Sequence, residues 1–213
     1  MPENFSLTPP NTLLLQLALD AFNEHTLQHP EIEAPLKTVA EIGDNFLLLL
    51  ENTQEQHLHG NMIKSIEPFI RVWQAQGLCF SALPCLQNSL FLACMAWTKA
   101  SAGHIYLNLD LLTIDPHAQD WGDFKIKPEQ VEIQRSELTV KALFSARSGW
   151  LLQVKKTQLK ALEDTIRATG LIQQATVIGK AWGSAEVVDG LLEVYRDAKL
   201  QLSLSPKMLN RVS

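Results

Sequence analysis

The chain has 213 residues, 46% hydrophobic and 19% charged, with 10 Gly, 10 Pro and 3 Cys. That composition excludes a disordered tail and a disulfide scaffold and suits one globular domain, or two small ones, with a core of its own. Its formal charge is −5, from 18 Lys+Arg against 23 Asp+Glu, so it lacks the basic footprint of a protein that works on phosphate backbones, and no nucleic-acid partner is expected.

The opening Met1-Pro2-Glu3-Asn4-Phe5 has no basic start followed by an apolar stretch. The densest apolar run, Leu90 to Trp97, is too short to span a bilayer. A soluble, unexported, cytoplasmic protein is expected, with no membrane partner. Cys79, Cys85 and Cys94 are odd in number and form no Cys-x-x-Cys, which predicts reduced thiols, with Cys94 packed in a core.

Leu14, Leu17, Ala18, Ala21 and Phe22 recur at helical spacing between a cap at Asn11 or Thr12 and a stop at Pro30. The prolines that follow, Pro30 and Pro35, separate this helix from the rest, so residues 1–35 are expected to form a helical arm and residues 36–213 the main domain. Phe46 to Leu50 fits a strand buried on both faces. Met62, Ile63, Ile66, Ile70 and Trp73 predict a helix, interrupted at Pro68 and ended by Gly77. Leu78 to Leu83 reads as a strand, and Ser89 to Ala100 as a helix apolar on nearly every side. Alternation at Ile105, Leu107 and Leu109 predicts a half-buried strand, and Ser136 is placed to cap a helix through Phe144. Next come a strand from Trp150 to Val154, a helix from a Thr157 cap to a Gly170 stop, and a strand from Thr176 to Ile178. Asp189-Gly190 has the form of a hairpin turn into Leu191 to Tyr195, and Leu200, Leu202 and Leu204 alternate once more. The fold class is α/β (α+β): a layered mixed sheet with packed helices.

Side chains with chemical potential are few. His57-Leu58-His59, with His104 and His117, lacks a third ligand at a recognisable spacing, so no metal is expected. Arg147 with Lys155-Lys156 reads as a solvated rim more readily than as a phosphate site. Asp110 and Asp115 have no spacing that would make them an acid–base pair. Of the five tryptophans, Trp73, Trp97, Trp150 and Trp182 are expected to pack rather than stack on bases, with Trp121 in a polar loop. Asn88-Ser89 could offer backbone N–H groups to an anion, though a plain helix cap is the simpler reading.

The second half contains a patterned stretch. Ala142-Leu143-Phe144-Ser145-Ala146-Arg147-Ser148-Gly149-Trp150-Leu151-Leu152-Gln153-Val154 is followed by a helix and by Val177-Ile178-Gly179-Lys180-Ala181. This resembles the C-terminal domain of the aminoimidazole ribonucleotide synthetase superfamily, most closely that of phosphoribosylformylglycinamidine synthase. In that family a Leu-Phe-Ser-Glu turn precedes a strand, a helix and an Ile-Gly strand end. Upstream, Leu78 to Phe91 stands where the family has a strand, a His-Asp-x-Ser-Asp-Gly-Gly-Leu loop and a helix, and Ala102-Gly103-His104 to Leu109 where it has the next strand. The resemblance spans roughly Thr38 to the C-terminus.

The departures carry as much as the matches. Where the family loop has a histidine, two aspartates and two glycines, this chain reads Leu83-Pro84-Cys85-Leu86-Gln87-Asn88-Ser89, and the glutamate after the family serine is Ala146. Without those carboxylates the loop cannot orient magnesium or exchange protons, and the chain is too short for the family's N-terminal domain, which supplies most of the ATP site. The resemblance therefore implies a stand-alone, catalytically inactive relative acting as a structural or partner-binding module, self-associating or docking on another protein, with no cofactor. The competing implication is one subunit of a split purine-biosynthesis synthetase, a ligase completed in trans, or a binder of a purine-pathway ribonucleotide. Ligand contacts would then come from Asn88, Ser89, Ser145, Arg147 and Ser148.

Overall fold

Five apolar residues in a row can lie in a strand only if both of its faces are covered, and the architecture grows from that requirement. The computed structural model describes residues 12–28, 45–51, 53–57, 60–64, 66–78, 80–85, 89–101, 103–110, 128–145, 149–182 and 190–209. The main strands are β1 (Asn45–Glu51), β4 (Phe80–Pro84), β5 (His104–Asn108), β6 (Gly149–Lys155), β7 (Ala175–Trp182), β8 (Leu191–Arg196) and β9 (Lys199–Leu204). They form a seven-stranded sheet in the order β4-β6-β1-β7-β5-β8-β9. β5 and β8 run parallel, and the other neighbours antiparallel. A separate hairpin of β2 (Thr53–His57) and β3 (Gly60–Lys64) follows β1.

The period-2 rule then sorts β1 between two cores. Leu47 and Leu49 join Leu151, Ile105, Leu107, Leu192, Val194, Leu202 and Leu204 on one face. That face is covered by α1 (Thr12–Gln28), α3 (Leu90–Ser101) and α4 (Pro128–Phe144), which contribute Leu14 and Ala18, Leu90 to Trp97, and Leu143 respectively. Leu48 and Leu50 face the other way, with Trp150, Leu152, Val154, Phe80 and Ala82. Over them lie α2 (Glu67–Ala75), through Ile70 and Trp73, and α5 (Lys156–Ala168), through Leu162 and Ile166. Each such side chain contributes about 1.5–3 kcal/mol when fully buried. A short α6 (Pro206–Leu209) ends the described chain. Gly77 and Gly170 stop α2 and α5 at φ +88 and +76, as their sequence positions predict.

The structure is the layered mixed α/β fold expected from the sequence, with four local corrections. Met62 and Ile63 belong to β3, not to a helix; Pro68 sits in the first turn of α2, where its missing N–H costs no helical bond, so it starts the helix rather than interrupting it. Ser136 is not a cap, because α4 begins eight residues earlier at Pro128. Thr157 lies inside α5, whose N-cap is the extended Lys155, without a side-chain cap bond. Gly190 is not a hairpin turn: β5 stands between β7 and β8, and the Leu191 N–H donates to the Gly103 carbonyl instead. A Cβ at Gly190 would run into the Thr98 carbonyl oxygen, so close backbone approach accounts for the glycine. Asp189 lies outside the described residues.

A two-residue hairpin joins β8 to β9, turned by Asp197-Ala198 at φ 52 and 57. Both residues are left-handed, as the right-handed twist of the flanking strands demands.

Candidate functional site

Antiparallel pairing places the end of β4, the start of β6, the end of β1 and the start of β7 at one end of the sheet. Pro84 stands beside Trp150, Glu51 beside Gly149, and Leu50 beside Ala175. The Cys85 N–H donates to the Gly149 carbonyl at 2.8 Å, so the segments that enter α3 and leave α4 are stitched together by backbone. Gly149 has no room for a side chain: a Cβ there would stand 2.5 Å from the Leu50 carbonyl oxygen. Phe91 in the first turn of α3 packs on Phe144 in the last turn of α4, ring centroids 5.3 Å apart.

Two of the five candidate ligand residues are described, and both stand at this end. Ser89 is buried, and its hydroxyl accepts the Leu92 N–H at 3.2 Å while its carbonyl accepts the Ala93 N–H at 3.1 Å. That is a helix cap, which satisfies one of the N–H groups an anion would otherwise claim. Ser145 is exposed and its N–H closes the last turn of α4 on the Lys141 carbonyl. Asn88, Arg147 and Ser148 lie outside the described residues. Lys155 pairs with Asn45 at the other end of β6, about 20 Å from Gly149 for a strand of that length.

The remaining candidates separate. His57 pairs with Gly60 at the tip of the β2–β3 hairpin, while His104 begins β5; His59, His117, Asp115 and Trp121 lie outside the described residues. Among the described residues no group of three or more His, Cys, Asp or Glu could hold a metal ion. Trp73, Trp97 and Trp150 are core residues. Cys85 and Cys94 are buried free thiols, and burial, with Cys85 beside it, pushes the Cys94 thiol well above its ordinary value.

Sequence reasoning missed a charged cluster. Arg135 of α4 holds Asp197 with two hydrogen bonds of 2.7 and 2.6 Å and reaches Asp110 at 3.4 Å, while the Asp197 N–H donates to Asp110 at 2.9 Å. Arg196, buried, points at the Ser136 and Thr139 hydroxyls, both at 3.4 Å. The hydrogen bonds from Arg135 hold the Asp197 carboxyl below its usual range, against the desolvation that would raise it, with the charges of Arg135, Arg196 and Lys199 adding to the lowering. The cluster ties α4 to the β8–β9 turn. The only signal in the sequence was Asp197 at the junction of two alternating strands.

A second concentration of chemistry lies on a sheet face. Among the described residues, the core under α2 and α5 contains none from β5, β8 or β9. On that side Tyr106 stacks on Tyr195, centroids 4.4 Å apart and 22° between planes, and the Lys180 ammonium stands 5.8 Å from the Phe46 ring centroid. Burial comes first in raising the Tyr195 hydroxyl above its ordinary value, followed by Glu193, Tyr106 and a hydrogen bond to Glu193.

No protein-family model matches the chain. Solved structures do. The hydrogenase maturation protein HypE superposes with a TM-score of 0.51 at 13% identity, over 82% of this chain and 57% of HypE. HypE in complex with ATP gives 0.51 at 11%, over 78% and 52%. T. maritima PurL complexed with FGAR gives 0.51 at 9%, over 81% and 29%. The chain thus spans about half the length of HypE and less than a third of PurL, and it has the aminoimidazole ribonucleotide synthetase-like fold that these proteins share. No helix among the described residues is long and apolar enough to cross a membrane.

Proposed function

We propose that this chain is a relative of the phosphoribosylformylglycinamidine synthase C-terminal domain that has given up catalysis and works as a partner-binding module, the partner being a second copy or another protein. One observation carries the reading. At the strand end where the family has its acidic loop, this chain has Leu83 to Ser89 without a carboxylate, and the Ser89 hydroxyl is taken up by capping α3. A ligase needs groups there to orient a metal–nucleotide and move protons, whereas a docking module needs only a shaped scaffold. In this reading residues 1–35 form an arm added to the domain of residues 36–213, with Leu14 and Ala18 of its helix held in the shared core. The buried free thiols of Cys85 and Cys94 support a cytoplasmic setting.

A second reading has an observation of its own. The Cys85–Gly149 hydrogen bond joins the strand end that leads to α3 with the strand start that follows α4, the helices whose ends carry Ser89 and Ser145. The fold is also that of proteins solved with ATP and with FGAR. A purine-pathway ribonucleotide bound there, or a split ligase completed in trans, is the alternative.

Thermal-shift titration against magnesium–ATP and formylglycinamide ribonucleotide decides between them. A ligand at 100 times its dissociation constant adds about 2.7 kcal/mol to the native state. The module reading expects a cooperative melt that neither ligand moves. A saturable shift abolished by Arg147→Ala overturns it in favour of the ribonucleotide site.

A further inference from the structure

Helices cover one face of the sheet from edge to edge, but among the described residues the apolar cover of the other face ends at β7. Strand register sets one row of side chains across the boundary: Phe46, Lys180, Tyr106, Glu193 and Ser203, on β1, β7, β5, β8 and β9 in turn. Beside the row lie Tyr195, stacked on Tyr106, and its register partner Leu200, a leucine 39% exposed. Lys180 is exposed, and Tyr106, Glu193 and Tyr195 keep part of their surface open. Aromatic and aliphatic side chains flanked by one charge of each sign form the composition of a protein–protein contact rather than of a solvated sheet face.

We propose that this face binds a second copy of the chain, sheet against sheet, about a two-fold axis parallel to β5; the proposal rests on the module reading and names the partner. The charge order selects the occupant and the axis. Lys180 and Glu193 flank Tyr106 on adjacent strands, one on each side. A two-fold along β5 reverses the strand order in the facing copy, so each Lys180 meets the partner's Glu193, and Tyr106 meets its own counterpart. A two-fold across the strands would set Lys180 against Lys180 and is disfavoured. Two sheets packed in this way, about 10 Å apart with nearly aligned strands, make an ordinary sandwich. Four strands about 4.8 Å apart offer only a few hundred Å² of face, the size of a weak, transient contact rather than of an obligate dimer.

Sedimentation equilibrium of the full chain from about 5 to 500 μM is the test, with far-UV circular dichroism to confirm that each variant is folded. The expected result is a monomer of 23.8 kDa at the dilute end and a species of twice that mass at the concentrated end. Glu193→Lys alone and Lys180→Glu alone each set like charges face to face and should raise the dissociation constant by about tenfold or more. The double variant Lys180→Glu/Glu193→Lys restores opposite charges and should recover association. A monomer throughout, a dimer indifferent to either single change, or a double variant no better than Glu193→Lys each overturns the proposal. None of these results touches the module reading, which stands or falls on the ligand titration.

Discussion

Gly179 offers a strict test of how the sheet is built. It pairs with Leu47 of β1 and Leu107 of β5 at the point where the β1–β7 register shifts. A Cβ built there runs into the Tyr106 carbonyl oxygen and stands 3.0 Å from both the Leu107 Cα and the Tyr106 carbonyl carbon, all of them backbone atoms of a neighbouring strand. Gly179→Ala therefore forces β5 and β7 apart by about 1 Å to reach ordinary contact distance. Two or three ladder hydrogen bonds, each worth about 1 kcal/mol, would be lost or stretched. Leu107 and Ile178, both fully buried, would lose packing as well. The sum is about 3–4 kcal/mol, a large part of the 5–15 kcal/mol expected for a domain, and it lowers the melting temperature by about 6–16 °C. Gly170→Ala is the control: its Cβ meets nothing within 4 Å, but φ +76 strains an alanine, for about 1 kcal/mol. Urea unfolding of both variants, followed by tryptophan fluorescence, gives the comparison. A Gly179→Ala protein no less stable than Gly170→Ala would refute the packing argument.

Two further outcomes follow from the charged cluster and the thiols. The lowered Asp197 carboxyl contributes stability that is complete above its unfolded value of about 3.9 and is lost as pH falls through its lower folded value. Asp197→Asn, which tolerates the left-handed turn, should therefore cost up to about 1 kcal/mol at pH 7, limited by solvent screening of a side chain 49% exposed, and almost nothing near pH 2; a cost independent of pH counts against the assignment. Cys85 and Cys94 are buried and the Cys94 thiol resists ionisation. A disulfide reagent should find both only after urea unfolding, and fast labelling of Cys94 in the native protein would contradict its placement.

The legible parts of the sequence were those where one physical rule acts alone. Alternation at Ile105 and Leu107, and at Leu202 and Leu204, survives because one face of those strands is core. The run at Phe46 to Leu50 had to be covered twice, and it is. Sequence reading failed where two elements met. The spacing from Met62 through Ile66 to Ile70 crosses from a strand into a helix, so its helical period is an accident of two patterns laid end to end. α4 was shortened because its first half carries little apolar signal, and Ile133 is 60% exposed. The Asp189-Gly190 signal lost to Asp197-Ala198 because a glycine demanded by the Thr98 backbone looks the same in sequence as a glycine demanded by a turn. For the candidate site, the Ser89 cap was readable from its place before an apolar helix. The meeting of Cys85 and Gly149 was not, since it depends on antiparallel β4–β6 pairing between segments more than sixty residues apart.

The distribution of chemistry over the sheet bears on which kind of function the fold supports. An enzyme of α/β type concentrates its polar groups at strand ends, where loops can place them around a ligand. Here the described part of the strand end is joined by the Cys85–Gly149 backbone hydrogen bond and by the packing of Phe91 on Phe144, and the Ser89 hydroxyl caps a helix. The amphipathic side chains lie on the flat of the sheet instead. Followed strand by strand, one register row runs Phe80, Val154, Phe46, Lys180, Tyr106, Glu193, Ser203. Its first three members pack under α2 and α5, and its last four lie beyond them. The change of chemistry falls at β7, where the apolar cover stops. Solvent alone accounts for the charges at that boundary, but not for Tyr106, Tyr195 and Leu200 lying beyond the cover. Contact with another protein accounts for both, because it needs apolar area for affinity and fixed charges for register.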